Sequence, residues 1–271
     1  MKFALAVLFL SLGLVSAHLR LPLPKDIQAR HPHLMTEPIN TDADFVKVVG
    51  GSAVSDGEAR HQIAMLRSGS FICGGSLIGA STVLTAAHCV YGYENRPTSF
   101  SVRYNTLDRT SGPTLAVAKV NRHPSYSSNT IDYDIATFSL ASPFSPGTNA
   151  AVVELAKSRP ADDSAVQVTG WGRLSSGGTL PTKLQKADTL KVVSKAECQK
   201  RWGSTNTITD RMLCAHSTTQ SACNGDSGGP LTQNNVLVGV VSWGSSSCLH
   251  ATYPNVYASV ADLADWIAAN P

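Results

Sequence analysis

From Val48 onward, short runs rich in β-branched and aromatic residues alternate with clusters of turn residues. Thr82 to Leu84, Phe100 to Tyr104, Leu115 to Val120, Ala165 to Val168 and Val236 to Ser242 are examples. Runs of this length and spacing predict the strands of an all-β sandwich or barrel and argue against βαβ units. Only the C-terminal end departs from this pattern. Between Val260 and Ala269, the residues Leu263, Trp266 and Ile267 fall at helical spacing. They predict one amphipathic helix docked on the body. No internal repeat stands out.

The first 47 residues read differently. Lys2 is followed by the apolar stretch Phe3 to Val15, too short to span a bilayer, and then by the small residues of Val15-Ser16-Ala17. These are the three parts of a secretory signal peptide, so residues 1–17 are expected to be removed. His18 to Asp44 carries Pro22, Pro24, Pro32 and Pro38 with scattered charge and no periodicity. It reads as an extended leader. Lys47 then precedes Val48-Val49-Gly50-Gly51. On its own this is either a processing site or an ordinary strand and turn.

Composition narrows the class. A chain of 271 residues suffices for one large domain or two small ones. Charged residues make up 15%, against roughly 25% in an ordinary globular chain. With 42% hydrophobic residues, 21 Gly and 14 Pro, this suits a folded, strand-rich and loop-rich protein. The net charge of +3 is small and no basic run occurs, so neither nucleic acid nor a membrane surface is expected as a partner. No later apolar run reaches spanning length. Six cysteines suit a secreted, extracellular protein in an oxidising space, with pairing left open by sequence alone. No Cys-x-x-Cys pair suggests zinc.

Three segments carry chemistry. Cys223-Asn224-Gly225-Asp226-Ser227-Gly228-Gly229-Pro230 offers a serine hydroxyl among glycines. Glycines let the backbone approach a substrate and aim N–H groups at one point. A hydroxyl is a poor nucleophile without a base to take its proton. Thr85-Ala86-Ala87-His88-Cys89 supplies an imidazole, and Asp132-Tyr133-Asp134-Ile135-Ala136 supplies a carboxylate ahead of an apolar strand. The fixed charge of Asp226 beside the serine needs a partner of its own.

The order His, Asp, Ser is one of three orders known for this chemistry. Together with Val48-Val49-Gly50-Gly51, Gly170-Trp171-Gly172 and Ser242-Trp243-Gly244, it resembles the chymotrypsin family of serine proteases, the trypsin-like clan, over residues 48–271. The resemblance implies two Greek-key antiparallel β-barrels with a C-terminal α-helix. They would run over residues 48–148 and 149–271 and form one peptidase domain behind an activation propeptide at 18–47. It implies a secreted serine endopeptidase made as a zymogen. Ser227 is then the nucleophile, His88 the general base and acid, and Asp134 the group that orients the imidazole. Backbone N–H groups of Gly225 and Ser227 form the oxyanion hole. These roles belong to the family's general scheme. Asp132 is a rival for the carboxylate role, but the Asp-Ile-Ala pattern selects Asp134 and leaves Asp132 exposed. Cleavage after Lys47 would give Val48 an α-amino group to partner Asp226; before it, the oxyanion turn should be poorly ordered. The implied disulfides are Cys73–Cys89, Cys198–Cys214 and Cys223–Cys248.

The pocket is where the chain departs from trypsins. They carry an aspartate six residues before the nucleophile; here Ser221 holds that place, followed by Ala222. No acid occurs from Ala215 to Gly225 or from Ser242 to Val260. A buried Lys or Arg would lack a counter-charge. The implied pocket residues are Ser221, Ala222, Ser242, Gly244 and Asn255. Family members usually read Pro-Gly-Val-Tyr where this chain has Pro254-Asn255-Val256-Tyr257. The Asn255 side chain either narrows the pocket, shifting preference toward Leu, Met or amide residues, or turns away. His216 and His250 near the pocket would favour an acidic substrate residue. The expected P1 residue is uncharged, apolar or medium-sized. Lys/Arg specificity and a non-catalytic binding protein on the same scaffold are the alternatives. The expected partners are protein or peptide substrates, protein protease inhibitors and a separate protease that cuts after Lys47. The protein is expected to be a monomer without cofactor or metal. Asn105 to Pro113, where some relatives bind calcium, has a single acid, Asp108.

Overall fold

A computed structural model describes residues 48–271. The expected signal peptide, propeptide and Lys47 lie outside the described residues. After a short strand β1 (Ser52–Ala53), six strands follow: β2 (Gln62–Arg67), β3 (Ser70–Gly79), β4 (Thr82–Thr85), β5 (Phe100–Arg103), β6 (Thr114–Arg122) and β7 (Ala136–Leu140). They close an antiparallel barrel in the order β2-β3-β4-β7-β6-β5. Closure leaves no free sheet edge in this barrel. Its interior is filled by Ile63, Met65, Leu77, Val83, Leu84, Phe100 and Phe138.

A second set follows the two-residue strand β8 (Glu154–Leu155). It comprises β9 (Ala165–Gly170), β10 (Gln185–Val193), β11 (Met212–His216), β12 (Pro230–Gln233), β13 (Val236–Trp243) and β14 (Asn255–Ser259). Its order is β10-β11-β14-β13-β12-β9, and β9 pairs back onto β10 to close it. Val168, Leu190, Leu213, Leu231, Val238 and Tyr257 fill it. Two-residue hairpins pin the register in each barrel: Ser68-Gly69 joins β2 to β3, and Asn234-Asn235 joins β12 to β13, all four residues at positive φ. Ser, Gly and Asn tolerate that conformation in tight hairpins.

The helices differ from expectation in two respects. The C-terminal segment is a 3-10 turn at Ala261–Leu263 followed by an α-helix of six residues, Ala264–Ala269. A second helix, α1 (Lys195–Trp202), was not foreseen. Its signal is in the sequence: Ser194 caps it by accepting a hydrogen bond from Glu197 N, three residues on. We label the C-terminal helix α2.

Both ends of the described residues cross between the barrels. Strand β1 pairs with β10 of the second barrel. Leu263 and Ile267 pack in the core of the first. Thr137 Oγ1 donates to Asn270 O at 2.5 Å and Ser139 Oγ to Pro271 O at 2.9 Å. A division at residue 148 therefore separates the strands of the barrels but not their ends.

One buried group makes the first barrel sensitive to acid. His61 is 8% exposed, and among the described residues its Nε2 has no hydrogen-bond partner. Burial pushes its pKa down to about 4. Above pH 6.5 both folded and unfolded states hold it neutral. Below that, the unfolded chain takes up the proton first, so stability falls as pH drops toward 4. The loss amounts to roughly 3 kcal/mol. A His61→Phe variant should flatten the pH dependence of urea unfolding between pH 6.5 and 4 by that amount. An unchanged slope would remove His61 as the cause.

Candidate active site

The imidazole and its carboxylate come from the first barrel. Strand β4 ends in a 3-10 turn, Ala87–Cys89, that carries His88, and the Cys73–Cys89 disulfide ties this turn to β3. Asp134 stands just before β7, after a turn with Ile131 and Tyr133 at positive φ. Asp134 is 2% exposed. Its Oδ1 accepts from His88 N at 2.8 Å, and its Oδ2 lies 2.7 Å from His88 Nδ1. Ser242 Oγ donates to the same Oδ2 at 2.5 Å. Ser242 is expected in the pocket wall; its hydroxyl also serves the carboxylate. Burial opposes charge on the His88 ring, but the charge of Asp134 and its hydrogen bond outweigh it and raise the ring's pKa.

Asp132 is not exposed, contrary to expectation. It is 8% exposed, forms an ion pair with Arg211, and accepts from Thr209 Oγ1 and Tyr133 N, each at 2.8 Å. Those partners face it away from the histidine and join it to the second barrel.

Ser227 comes from the loop before β12. Gly74 N donates to Ser227 O at 2.8 Å, which fastens the turn to β3 of the other barrel. Gly228 follows at φ +76°, where a Cβ would lie 2.2 Å from Thr85 Oγ1. Only glycine fits there. Thr85 Oγ1 in turn donates to Gly74 O at 2.9 Å. Thr85 and Gly74 were not singled out from sequence, although Thr85 opens the histidine segment. Asn224 O accepts from Arg173 N at 2.8 Å. In a trans peptide the N–H points opposite to the C=O, so the Gly225 N–H faces away from Arg173 and is free of it. Ser227 O and Asn224 O, on either side of this turn, are thus both held by backbone N–H groups from other segments. Among the described residues no hydrogen bond joins Ser227 Oγ to His88; His88 Nε2 lies 3.7 Å from Cys89 Sγ. Such bonds are commonly long without substrate.

Asp226 is fully buried. Its carboxylate accepts from Gly172 N at 2.7 Å and Cys223 N at 2.9 Å. Among the described residues it has no ion-pair partner. Burial pushes its pKa up to about 6, against the lowering effect of those two N–H groups. The Tyr257 phenol, also buried and without a hydrogen-bond partner among the described residues, has its pKa raised by burial and by the Asp226 charge.

Asn255 does not turn away. Its Oδ1 lies 2.6 Å from Ser221 Oγ. Its Nδ2 lies 2.5 Å from where a side chain at Gly244 would begin. Ser221 is 3% exposed, and its Oγ is also within 2.8 Å of Cys248 O and 2.9 Å of Ala222 O. The histidines nearby are occupied in loop structure. His216 Nε2 meets His250 O at 2.9 Å, and His250 Nδ1 accepts from Thr252 N and Tyr253 N. Cys198–Cys214 and Cys223–Cys248 are bonded, the latter bracing the loop behind Ser221.

The ring of His88 and the sulfurs of Cys73 and Cys89 lie within 4.8 Å of one another. A disulfide has no thiolate to offer a metal, so this cluster is not a metal site. A groove of about 510 Å³ along α1 and β10 includes Asp163, Lys191, Glu197 and Arg201 but none of the three residues above. Four of its charges pair, Lys191 with Asp163 and Arg201 with Glu197.

Comparison with known proteins agrees with this geometry. The trypsin family model matches residues 48–267. Trypsin Blo t 3 of Blomia tropicalis is 45% identical over 229 residues, covering 81% of this chain and 84% of that protein. Trypsin delta of Drosophila erecta is 39% identical over 227 residues, covering 83% and 88%. Among solved structures, neuropsin, described as a serine protease expressed in the limbic system of mouse brain, superposes with a TM-score of 0.74 at 30% identity. That match covers 81% of this chain and 97% of neuropsin. Among the described residues no helix is long and apolar enough to cross a membrane. With two closed barrels, three disulfides and these relatives, the chain belongs to the trypsin family and is a serine endopeptidase.

Proposed function

We propose that Ser227, His88 and Asp134 form the catalytic triad. The observation that carries this reading is the short pairing of His88 Nδ1 with a buried, triply bonded Asp134. With Nδ1–H committed to Asp134, Nε2 is the basic nitrogen and faces substrate chemistry as an acceptor. Ser227 Oγ attacks the scissile carbonyl and passes its proton to Nε2. The N–H groups of Gly225 and Ser227 receive the oxyanion. The imidazolium returns the proton to the leaving amine, which departs and leaves an acyl-enzyme. Water then attacks the ester, with His88 as base again, and the acid product leaves.

The pocket reading rests on Asn255. Its amide spans from the β14 wall to Ser221 and lies against Gly244, so the lower pocket is filled. Although the named relatives are trypsins, the segments 215–225 and 242–260 of this chain hold no carboxylate to meet a substrate cation. The preferred P1 residue is therefore uncharged and apolar or medium-sized. In a P1 series on one peptide scaffold, Leu and Met should exceed Phe, and Lys should be poor. Asn255→Gly should open the pocket and raise kcat/KM for Phe over Leu by about tenfold or more. Efficient cleavage after Lys by the parent enzyme would overturn this reading.

Secretion through the 1–17 segment and activation at Lys47–Val48 complete the proposal. Cutting that bond creates the one cation positioned in sequence to serve Asp226. A pocket that rejects Lys does not cut after Lys47, so a separate protease supplies activation. The enzyme acts outside the cell as a monomer on protein substrates and is open to protein inhibitors.

A further inference from the structure

Gln220 is the residue just before the pocket floor. Strand β10 shifts register between Ala187 and Leu190, leaving the intervening N–H groups outside the ladder. Gln220 Oε1 accepts both: Asp188 N at 2.7 Å and Thr189 N at 2.9 Å. Its Nε2 donates to Gly50 O at 3.2 Å. Among the described residues this is the only side-chain hydrogen bond onto residues 48–51. The backbone beside it is in close contact. Ser221 N donates to Val49 O at 3.2 Å. A Cβ at Gly50, where φ is +78°, would lie 1.9 Å from Thr219 O. Val48 itself is 1% exposed.

We propose that Gln220 is a positioning residue that latches the activation segment Val48–Gly51 onto the second barrel, and through Ser221 couples its docking to the pocket floor. The proposal rests on the reading that Val48 becomes the new N-terminus. Three acceptor and donor contacts on one amide fix that side chain between the β10 bulge and Gly50. When the Val48 α-ammonium docks, the Gly50 contact holds the segment in place; when it leaves, the contact is lost with it. Docking needs the protonated amine. A free α-amino group titrates near pH 8, so the pH at which activity is lost in alkali rises by one unit for each tenfold in the docking equilibrium. The titratable groups around the segment are Asp226 and the neutral phenol of Tyr257 behind the nucleophile turn, and Lys186, Asp188 and Glu58 on the β10 side. Lys186 pairs with Glu58 and lies 3.9 Å from Asp188, so one negative charge is left over there, the same in the parent and in Gln220→Ala.

The test is the alkaline limb of kcat/KM for the enzyme cut after Lys47. Losing one such hydrogen bond should weaken docking by about three- to tenfold and lower the limb by about half to one pH unit in Gln220→Ala. Gln220→Glu keeps the acceptor for Asp188 and Thr189 but sets an oxygen against Gly50 O. It should lower the limb at least as far. Activity at pH 7 should change far less in both. A limb that stays in place in both variants, or a uniform drop at every pH, overturns the latch. The parent enzyme with its Val48 amine acetylated provides the second arm. If acetylation silences it, the activation reading stands and the limb decides on Gln220 alone. If it stays fully active, the activation reading fails, and the latch with it.

Discussion

The Ser227→Ala enzyme, cut after Lys47, is expected to hydrolyse peptides about a millionfold more slowly than its parent, as in an unrelated serine protease with the same three groups. The expectation follows from how little else in the site can replace the hydroxyl. His88 is committed through Nδ1 to Asp134, and Asp134 is saturated by His88 N, His88 Nδ1 and Ser242 Oγ. Neither can attack a carbonyl from its place. Residual turnover would come from binding and from the N–H groups of the oxyanion turn, worth about three orders of magnitude over water. The variant should fold normally. The turn is held by the backbone of Ser227 through Gly74 N, and alanine keeps that bond. Equal unfolding midpoints with lost kcat/KM would assign the effect to chemistry. A variant retaining more than about a thousandth of the activity would point to another nucleophile.

Lys47→Ala should be secreted and folded but about a hundredfold or more less active at pH 8. Without cleavage, Asp226 has no ammonium to meet. A carboxyl moved from its ordinary value up to about 6 carries about 3 kcal/mol against the formed turn once ionised. The sign follows from the direction of the shift. Below pH 4 the carboxyl is protonated whether the turn is formed or open, and nothing is lost. Above pH 6 it is ionised in both, and the formed turn bears the whole cost. The activity ratio of parent to Lys47→Ala, measured on one substrate, should therefore narrow as pH falls through 6. An uncut chain with full activity at pH 8 would contradict the account.

Much of the fold was legible because strand periodicity is local. The runs at Thr82, Phe100, Leu115, Ala165 and Val236 match β4, β5, β6, β9 and β13 to within a residue or two at each end. The helix Lys195–Trp202 was missed because its apolar face is small, with only Cys198 and Trp202 buried. Its capping serine was the better signal. The segments holding the proposed triad stand out in the sequence, and the structure pairs two of these residues, His88 with Asp134. What sequence hid was contact between distant segments. Asp132 looked exposed because its partner, Arg211, comes from the other barrel. That Ser242 also serves Asp134 was hidden, because the bond spans 108 residues. Whether Asn255 entered the pocket depended on Ser221, 34 residues away. Gln220 gave no signal at all, because its role is a backbone bulge in β10 that side-chain patterns do not reveal.

The central claim is that Ser227 becomes a nucleophile through His88 and becomes fully competent only after the bond following Lys47 is cut. Its most direct test is the rate at which a fluorophosphonate labels Ser227, followed by peptide mass, in the same preparation before and after that cut. The account predicts a single adduct on Ser227, formed about a hundredfold faster in the cut chain. Equal rates before and after, or an adduct elsewhere, would contradict it.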